Sequence, residues 1–420
     1  MLKNKIASLV LVDVLIAALS FLALPLFLGM MLKEEVGEFS YLQALYSSWI
    51  LIASFSAYTL LLKNISADKD QVKKTQNITS AILLSLIGII VSTALLLIVV
   101  FFFMPSSVGL EIIDRLEFFY LIFFTVIISV MNLNLLSILI AEENILTINK
   151  FKALRGVGAI GLGLFVVSES YFSESAVYNR LAAIALVECV AFIIFFKPYI
   201  RSFNINRAAI SSLLPQFIIV MPLVFGSLIA LAQNITEKSL LIAYVGSEAM
   251  AEYGLALVIV SPISMIMTAV MNSWVVSFYE IESPNKARTV LVSMSVKLLV
   301  IFTIMVGCLT LMSWLLLFFE VIPSVYWALI YDVPAIGIGA LLISLNQLNY
   351  AAFMYAEKTS FQLISTCFSA MILGIVSVIL IPVMGKFGAI VAFISAAAGG
   401  FICASIFANW ALKGKIFSTA

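Results

Sequence analysis

Three charged side chains interrupt otherwise apolar stretches of the sequence: Asp13, Glu188 and Lys297. Asp13 lies eight residues from Lys5, Glu188 nine from Lys197 and Lys297 nine from Arg288. At ~1.5 Å per helical residue, each charge sits roughly 12–14 Å from a basic flank. A charge at such depth in hydrocarbon costs about 2.5–3.5 kcal/mol on insertion scales, so each is expected to face protein or water. A carboxylate held there can bind a proton or a small cation and release it when its surroundings change. Asp13 shares its helical face with Ala17 and Ser20, a small polar surface suited to a cavity wall. The competing reading is a structural ion pair, with Lys297 as the cation.

Uncharged polar side chains form a second pattern. Gln43, Ser47, Ser54 and Tyr58 are spaced four, seven and four apart, which keeps them on one helical face. Ser261, Ser264, Thr268 and Asn272 make a similar stripe. Such stripes either line a hydrophilic passage or pack small residues between helices. The amides Asn132, Asn134, Asn346 and Asn349 suit sugar hydroxyls, though interhelical hydrogen bonds use the same groups. A third set, Lys63, Lys150, Lys152, Arg155 and Lys197, is placed to ring a basic mouth and attract an anionic headgroup. Topology alone also explains basic residues at that position.

The elements that must carry these residues are membrane helices. The chain is 63% hydrophobic and 11% charged, and its apolar runs are about the ~20 residues that cross ~30 Å of hydrocarbon. Twelve spans are predicted, near 6–30, 39–62, 78–103, 117–140, 149–168, 177–196, 211–233, 252–278, 289–318, 335–356, 360–381 and 386–410. Continuous apolar runs, without period-two alternation, select helices over a barrel. Of the 23 Lys and Arg residues, 17 fall in alternate loops on one side. Only Lys33, Arg115, Arg180, Lys238 and Lys386 fall on the other, and Lys297 lies within a span near the basic side. The positive-inside rule then places both termini in the cytoplasm.

Composition excludes several functions. There is no histidine, so imidazole base chemistry, histidine metal ligation and histidine pH switching are absent. Cys189, Cys308, Cys367 and Cys403 are isolated in apolar spans and read as packing residues, not a disulfide or metal set. The first apolar run is too long for a signal-peptide core and reads as a retained helix. A net charge of +1 argues against nucleic acid as a partner. The sequons at Asn64 and Asn77 fall in a predicted cytoplasmic loop and read as chance matches. No loop exceeds about 16 residues, and no cluster of acid, base or metal ligands is visible, so an enzyme is disfavoured and no cofactor is implied.

The spans divide six and six near residues 200–208, giving predicted lobes of 1–203 and 204–420. Because each lobe has six helices, a duplication must be parallel, about an axis along the membrane normal. Glu34, Glu38 and Phe39 match Glu248, Glu252 and Tyr253 at an offset of 214, and Ala141-Glu142 matches Ala356-Glu357 at 215. The same offset of 214 places Ser47, Ser54 and Tyr58 on Ser261, Thr268 and Asn272. Matched polar stripes in two repeats are what a central hydrophilic cavity requires. Pro25, Pro215, Pro222 and Pro262 would bend the first, seventh and eighth spans.

Three blocks carry a family resemblance: Pro25 through Val36-Gly37-Glu38-Phe39-Ser40-Tyr41, continuing with Lys63-Asn64-Ile65-Ser66 to Asp70; Glu237-Lys238 through Glu252-Tyr253-Gly254; and Ile381-Pro382-Val383-Met384-Gly385-Lys386-Phe387-Gly388-Ala389. Together with the helix count, they make the chain resemble the polysaccharide-export branch of the multidrug/oligosaccharidyl-lipid/polysaccharide (MOP) exporter superfamily, especially Wzx-type O-antigen flippases. The resemblance implies an all-α V-shaped pair of six-helix lobes that alternates access in the bacterial inner membrane. It implies undecaprenyl-diphosphate-linked oligosaccharide as cargo, moved from the cytoplasmic to the periplasmic leaflet, with H+ or Na+ as the coupling ion. A polysaccharide polymerase and a chain-length regulator are the protein partners it points to. Flippases of this kind often have strongly cationic cavities, whereas here Lys297 is expected to be the sole deep cation. The alternatives are a cation-coupled multidrug exporter of the same fold, with Asp13 as its ion site, and a membrane polysaccharide polymerase or ligase. The last should carry a large periplasmic loop, which the sequence lacks.

Overall fold

The computed structural model describes residues 2–55, 57–58, 61, 65, 71–103, 116–142, 144–170, 172–173, 175–202, 210, 213–279, 281–356, 358 and 360–418. Among these residues there are helices and turns but no strand. The helices are α1 (Leu2–Met30), α2 (Lys33–Ala53), α3 (Gln71–Phe103), α4 (Leu116–Ala141), α5 (Ile145–Ser168) and α6 (Ala176–Phe196), followed by the 3-10 turn Lys197–Ser202. Then come α7 (Leu213–Val245), α8 (Ser247–Val260), α9 (Pro262–Tyr279), α10 (Pro284–Phe318), α11 (Leu329–Tyr355), α12 (Ser360–Met384) and α13 (Lys386–Ser418). Ten of the membrane-length stretches among the described residues are apolar enough to cross a bilayer, so the chain is a multi-pass membrane protein. The helices α2 and α7 occupy the second and seventh predicted spans.

The eighth predicted span is two helices. Pro262 has no N–H to return to the preceding turn, and the chain breaks between Val260 and Pro262 with Ser261 at the joint. The second span is broken too. It leaves helical geometry at Ser54–Phe55, where Phe55 takes a φ of 47°, and Ala57, Tyr58 and Leu61 are helical again, so this span is interrupted and not cut short. Other boundaries follow local chemistry: the Asn144 side chain accepts from Thr147 N at 3.3 Å to start α5, and Ser175 accepts from Tyr178 N at 3.3 Å to start α6.

Chain contacts divide the molecule into two units. The first is Met1–Glu35 with Leu42–Asn234, and the second is Val36–Tyr41 with Ile235–Ala420. The boundaries between these contact units fall inside the helices α2 and α7. In the first unit, Trp49 is buried against Phe119 and Phe123 and donates its indole N–H to Ser92 Oγ at 3.1 Å. The second unit packs α12 on α13 through Leu373, Ala392 and Ala396, flanked by Ile372 and Val376. There the first turns of α2 press against α8: a Cβ on Gly37 would lie 1.8 Å from the Ser247 carbonyl oxygen, so only glycine permits the approach. Many large apolar side chains point outward, including Leu22, Val300, Ile304 and Val383, as helices solvated by lipid require.

Candidate functional site

The deep charges of the first unit are assembled by α5. Lys152 and Arg155 are three residues apart and share one face of that helix, pointing to either side of the seam between its neighbours. Lys152 Nζ donates to Asp13 of α1 at 2.8 Å to Oδ2 and 3.0 Å to Oδ1. One turn on, Gly156 lets Ile16 of α1 sit close: a Cβ there would be 2.5 Å from Ile16 Cγ2. Arg155 grips Glu188 of α6, its Nη2 lying 2.6 Å from Oε1 and its Nε 3.0 Å from both carboxylate oxygens. The guanidinium also lies over the Phe151 ring, 5.3 Å from its centroid. From α4, Asn132 Nδ2 donates to Glu188 Oε2 at 2.6 Å and to the Glu188 carbonyl at 3.0 Å. Asn132 Oδ1 is buried with no hydrogen-bond partner among the described residues.

The two pairs differ in access. The Glu188 side chain is only 8% exposed and its oxygens are well supplied with donors, whereas Asp13 is 47% exposed and Lys152 is its ion-pair partner. Removing one member of a buried pair strands a charge, while an accessible pair can open to exchange partners. The first therefore ties α4, α5 and α6 together, and the second is a half-exposed pair between α1 and α5.

These pairings correct the sequence reading in two respects. Asp13 and Glu188 are ion-paired, but not to Lys297. Lys152 and Arg155 are not free cations at a mouth; they lie within the membrane-length part of α5, so Lys297 is not the sole deep cation. The missed signal was the three-residue spacing of two cations inside an apolar run at the depth of the two carboxylates. Lys150 and Lys197 are exposed, and Lys63 lies outside the described residues. Nearby, Glu142 at the end of α4 takes hydrogen bonds from Lys74 and from Tyr199 Oη, which ties α3, α4 and the 3-10 turn together.

The polar stripes divide by environment. Gln43 and Ser47 are exposed, as are Ser261, Ser264 and Thr268. Their hydroxyls return to their own helix where bonds form: Ser47 Oγ donates to Gln43 O at 2.9 Å, Ser264 to Ser261 O at 2.8 Å and Thr268 to Ser264 O at 2.9 Å. Among the described residues, these groups make no interhelical hydrogen bond. Ser54 does not belong with them: it is fully buried and donates to Leu51 O at 2.8 Å where α2 ends. Tyr58 is half-buried, and the side chain of Asn272 lies outside the described residues.

Asn346 and Asn349 turn inward. Asn349 Nδ2 reaches Ser405 Oγ of α13 at 3.1 Å and Asn346 Oδ1 at 3.3 Å, while Asn346 Nδ2 donates to Tyr350 Oη at 3.1 Å. They serve helix packing inside the second unit, not an open surface. At the other end of that unit, Lys386 at the start of α13 bridges Glu252 of α8 and Asp332 of α11, with 2.6 Å to Asp332 Oδ2. Tyr326, in the 3-10 turn Ser324–Tyr326, has its pKa pushed up to about 12 by burial and then by Glu252 and Glu248. Glu237 accepts from Tyr253 Oη, and Tyr41 Oη lies 3.0 Å from Ser239 Oγ. Lys297 is exposed on α10.

Helix order and length over nearly the whole chain match transporters of known structure. An inward-facing multidrug resistance MATE family transporter of the MOP superfamily superposes with a TM-score of 0.62 at 16% identity, covering 96% of both chains. The chain shares the fold of that transporter. An outward-facing MATE structure gives the same TM-score, 0.62, at 17% identity over 98% of this chain and 96% of that one. A third match is a MOP superfamily transporter from Pyrococcus furiosus, with a TM-score of 0.61 at 17% identity over 98% and 96% of the chains; its binding pocket is described as having reverse polarity, suggesting a different function. No protein-family model and no curated protein sequence matches the chain.

Proposed function

We propose that the protein is a flippase that carries undecaprenyl-diphosphate-linked oligosaccharide from the cytoplasmic to the periplasmic leaflet by alternating access. Both termini lie in the cytoplasm, the lobes meet near residue 203, and Asp13 couples the cycle to H+ or Na+. One observation favours this reading over drug export: both deep carboxylates of the first unit are already neutralised, Asp13 by Lys152 and Glu188 by Arg155. A pathway for organic cations is better served by carboxylates with no resident cation. A charge-balanced wall tolerates a diphosphate and leaves sugar hydroxyls to the exposed Gln43, Ser47, Ser261, Ser264 and Thr268. Asp13 can act in coupling by exchanging Lys152 for a proton or sodium ion.

Cation-coupled multidrug export is the second reading, supported by the likeness to MATE transporters. Loss of the gene followed by lipid analysis separates the two. Accumulation of a single lipid-linked repeat unit in the cytoplasmic leaflet is expected for the flippase. Normal glycan export with altered drug sensitivity would favour the exporter.

A further inference from the structure

The helix α10 is cationic on a face that its own unit leaves bare. Over its 35 residues, Pro284–Phe318, it carries Lys286, Arg288 and Lys297 and no carboxylate. Its buried face is Ala287, Leu291, Leu298, Phe302, Val306, Leu309, Ser313 and Leu317, which recur at helical spacing and pack toward the second unit. Lys286, Thr289, Ser293 and Lys297 lie on the opposite side, and all four are exposed. Arg288 is committed to Asn409 of α13, its Nε 2.9 Å from Oδ1. Lys297 has no ion pair or hydrogen bond among the described residues.

Beyond Lys297 the same face turns apolar, with Val300 54% and Ile304 62% exposed. The stripe from Lys286 to Lys297 covers twelve residues, about 16 Å of helix. Polar and cationic groups at the end near a basic flank, followed by bare aliphatic surface, follow the order of a lipid's own headgroup and acyl chain. An ammonium in this position needs an anion, and among the described residues neither α10 nor a neighbour supplies one.

We infer that this face of α10 is a binding site for an anionic phospholipid of the leaflet on the basic side. Its phosphate is held by Lys297 with Ser293, and its acyl chain lies along Val300 and Ile304. Lys286 strengthens the site from the membrane surface, where each cation near anionic lipid adds about 1 kcal/mol. The site uses no residue of the Asp13 and Glu188 pairs and does not depend on what is transported.

Native mass spectrometry of the full chain in detergent tests this, with phosphatidylglycerol, phosphatidylcholine and inorganic diphosphate as probes. Phosphatidylglycerol is expected to bind in preference to phosphatidylcholine. Lys297→Gln should weaken that binding about fivefold, and Lys297→Arg should preserve it. Phosphatidylcholine binding and its melting temperature should be the same in all three proteins, which separates lost recognition from lost folding. Equal binding of the two lipids, or undiminished phosphatidylglycerol binding by Lys297→Gln, would overturn the site. Displacement of phosphatidylglycerol by inorganic diphosphate would overturn the choice of lipid, assigning the face to a diphosphate headgroup instead.

Discussion

At the residue scale, the account turns on two carboxylates with different surroundings. Glu188 is enclosed by Arg155 and Asn132, so Glu188→Gln should leave the guanidinium stranded and lower stability by about 3–5 kcal/mol. Thermal unfolding of the purified protein measures that loss. Replacing both partners with apolar residues, Glu188→Leu with Arg155→Met, should recover most of it, because the desolvation cost disappears with the charges. Asp13→Asn should change stability by less than about 1 kcal/mol, since the pair with Lys152 is half-exposed. Its effect is expected on transport, as loss of dependence on external pH or sodium. If Asp13→Asn and Glu188→Gln both transported normally at every external pH, ion coupling through these residues would be wrong.

At the element scale, helices were easier to read from the sequence than their interruptions. Apolar length located almost every span, because a bilayer leaves few ways to satisfy a backbone. The break at Ser261–Pro262 followed from a proline in the eighth span. The interruption at Ser54–Phe55 carried no such mark, and it takes Ser54 out of the stripe to which its spacing assigned it. Spacing gives a helical face only while the helix continues. The charge pairs escaped for another reason: the spacing of Lys152 and Arg155 marks a cationic face of α5, but which carboxylates it meets, Asp13 being 139 residues away from Lys152, is set by tertiary packing. Cysteine labelling tests the surviving stripes. Ser47→Cys, Ser261→Cys and Thr268→Cys should react with a membrane-impermeant maleimide, and Ser54→Cys should not. Unreactive cysteines at the first three positions would place those faces against lipid or protein. Gly37→Ala tests the close crossing of α2 on α8. The added methyl meets the Ser247 carbonyl, and an overpacking cost of about 1–3 kcal/mol is expected in thermal unfolding.

At the scale of the whole molecule, the fold is shared by proteins that handle different cargo, so function must be argued from the polarity of the pathway. The composition supports this view: an almost wholly membrane-embedded chain without histidine offers few residues for catalysis but enough paired charge and hydroxyl surface for passage. The proposed cargo follows from the neutralised acids of the first unit. The most direct measurement uses the purified protein in liposomes loaded with a fluorescent undecaprenyl-diphosphate oligosaccharide. A glycosidase confined to the outside reports how much of the lipid is exposed there. Cleavage is expected to rise beyond the outer-leaflet half in the presence of the protein, with the rise slowed by Asp13→Asn. Cleavage that stops at half, while the same vesicles move an organic cation against a proton or sodium gradient, would contradict the proposed cargo.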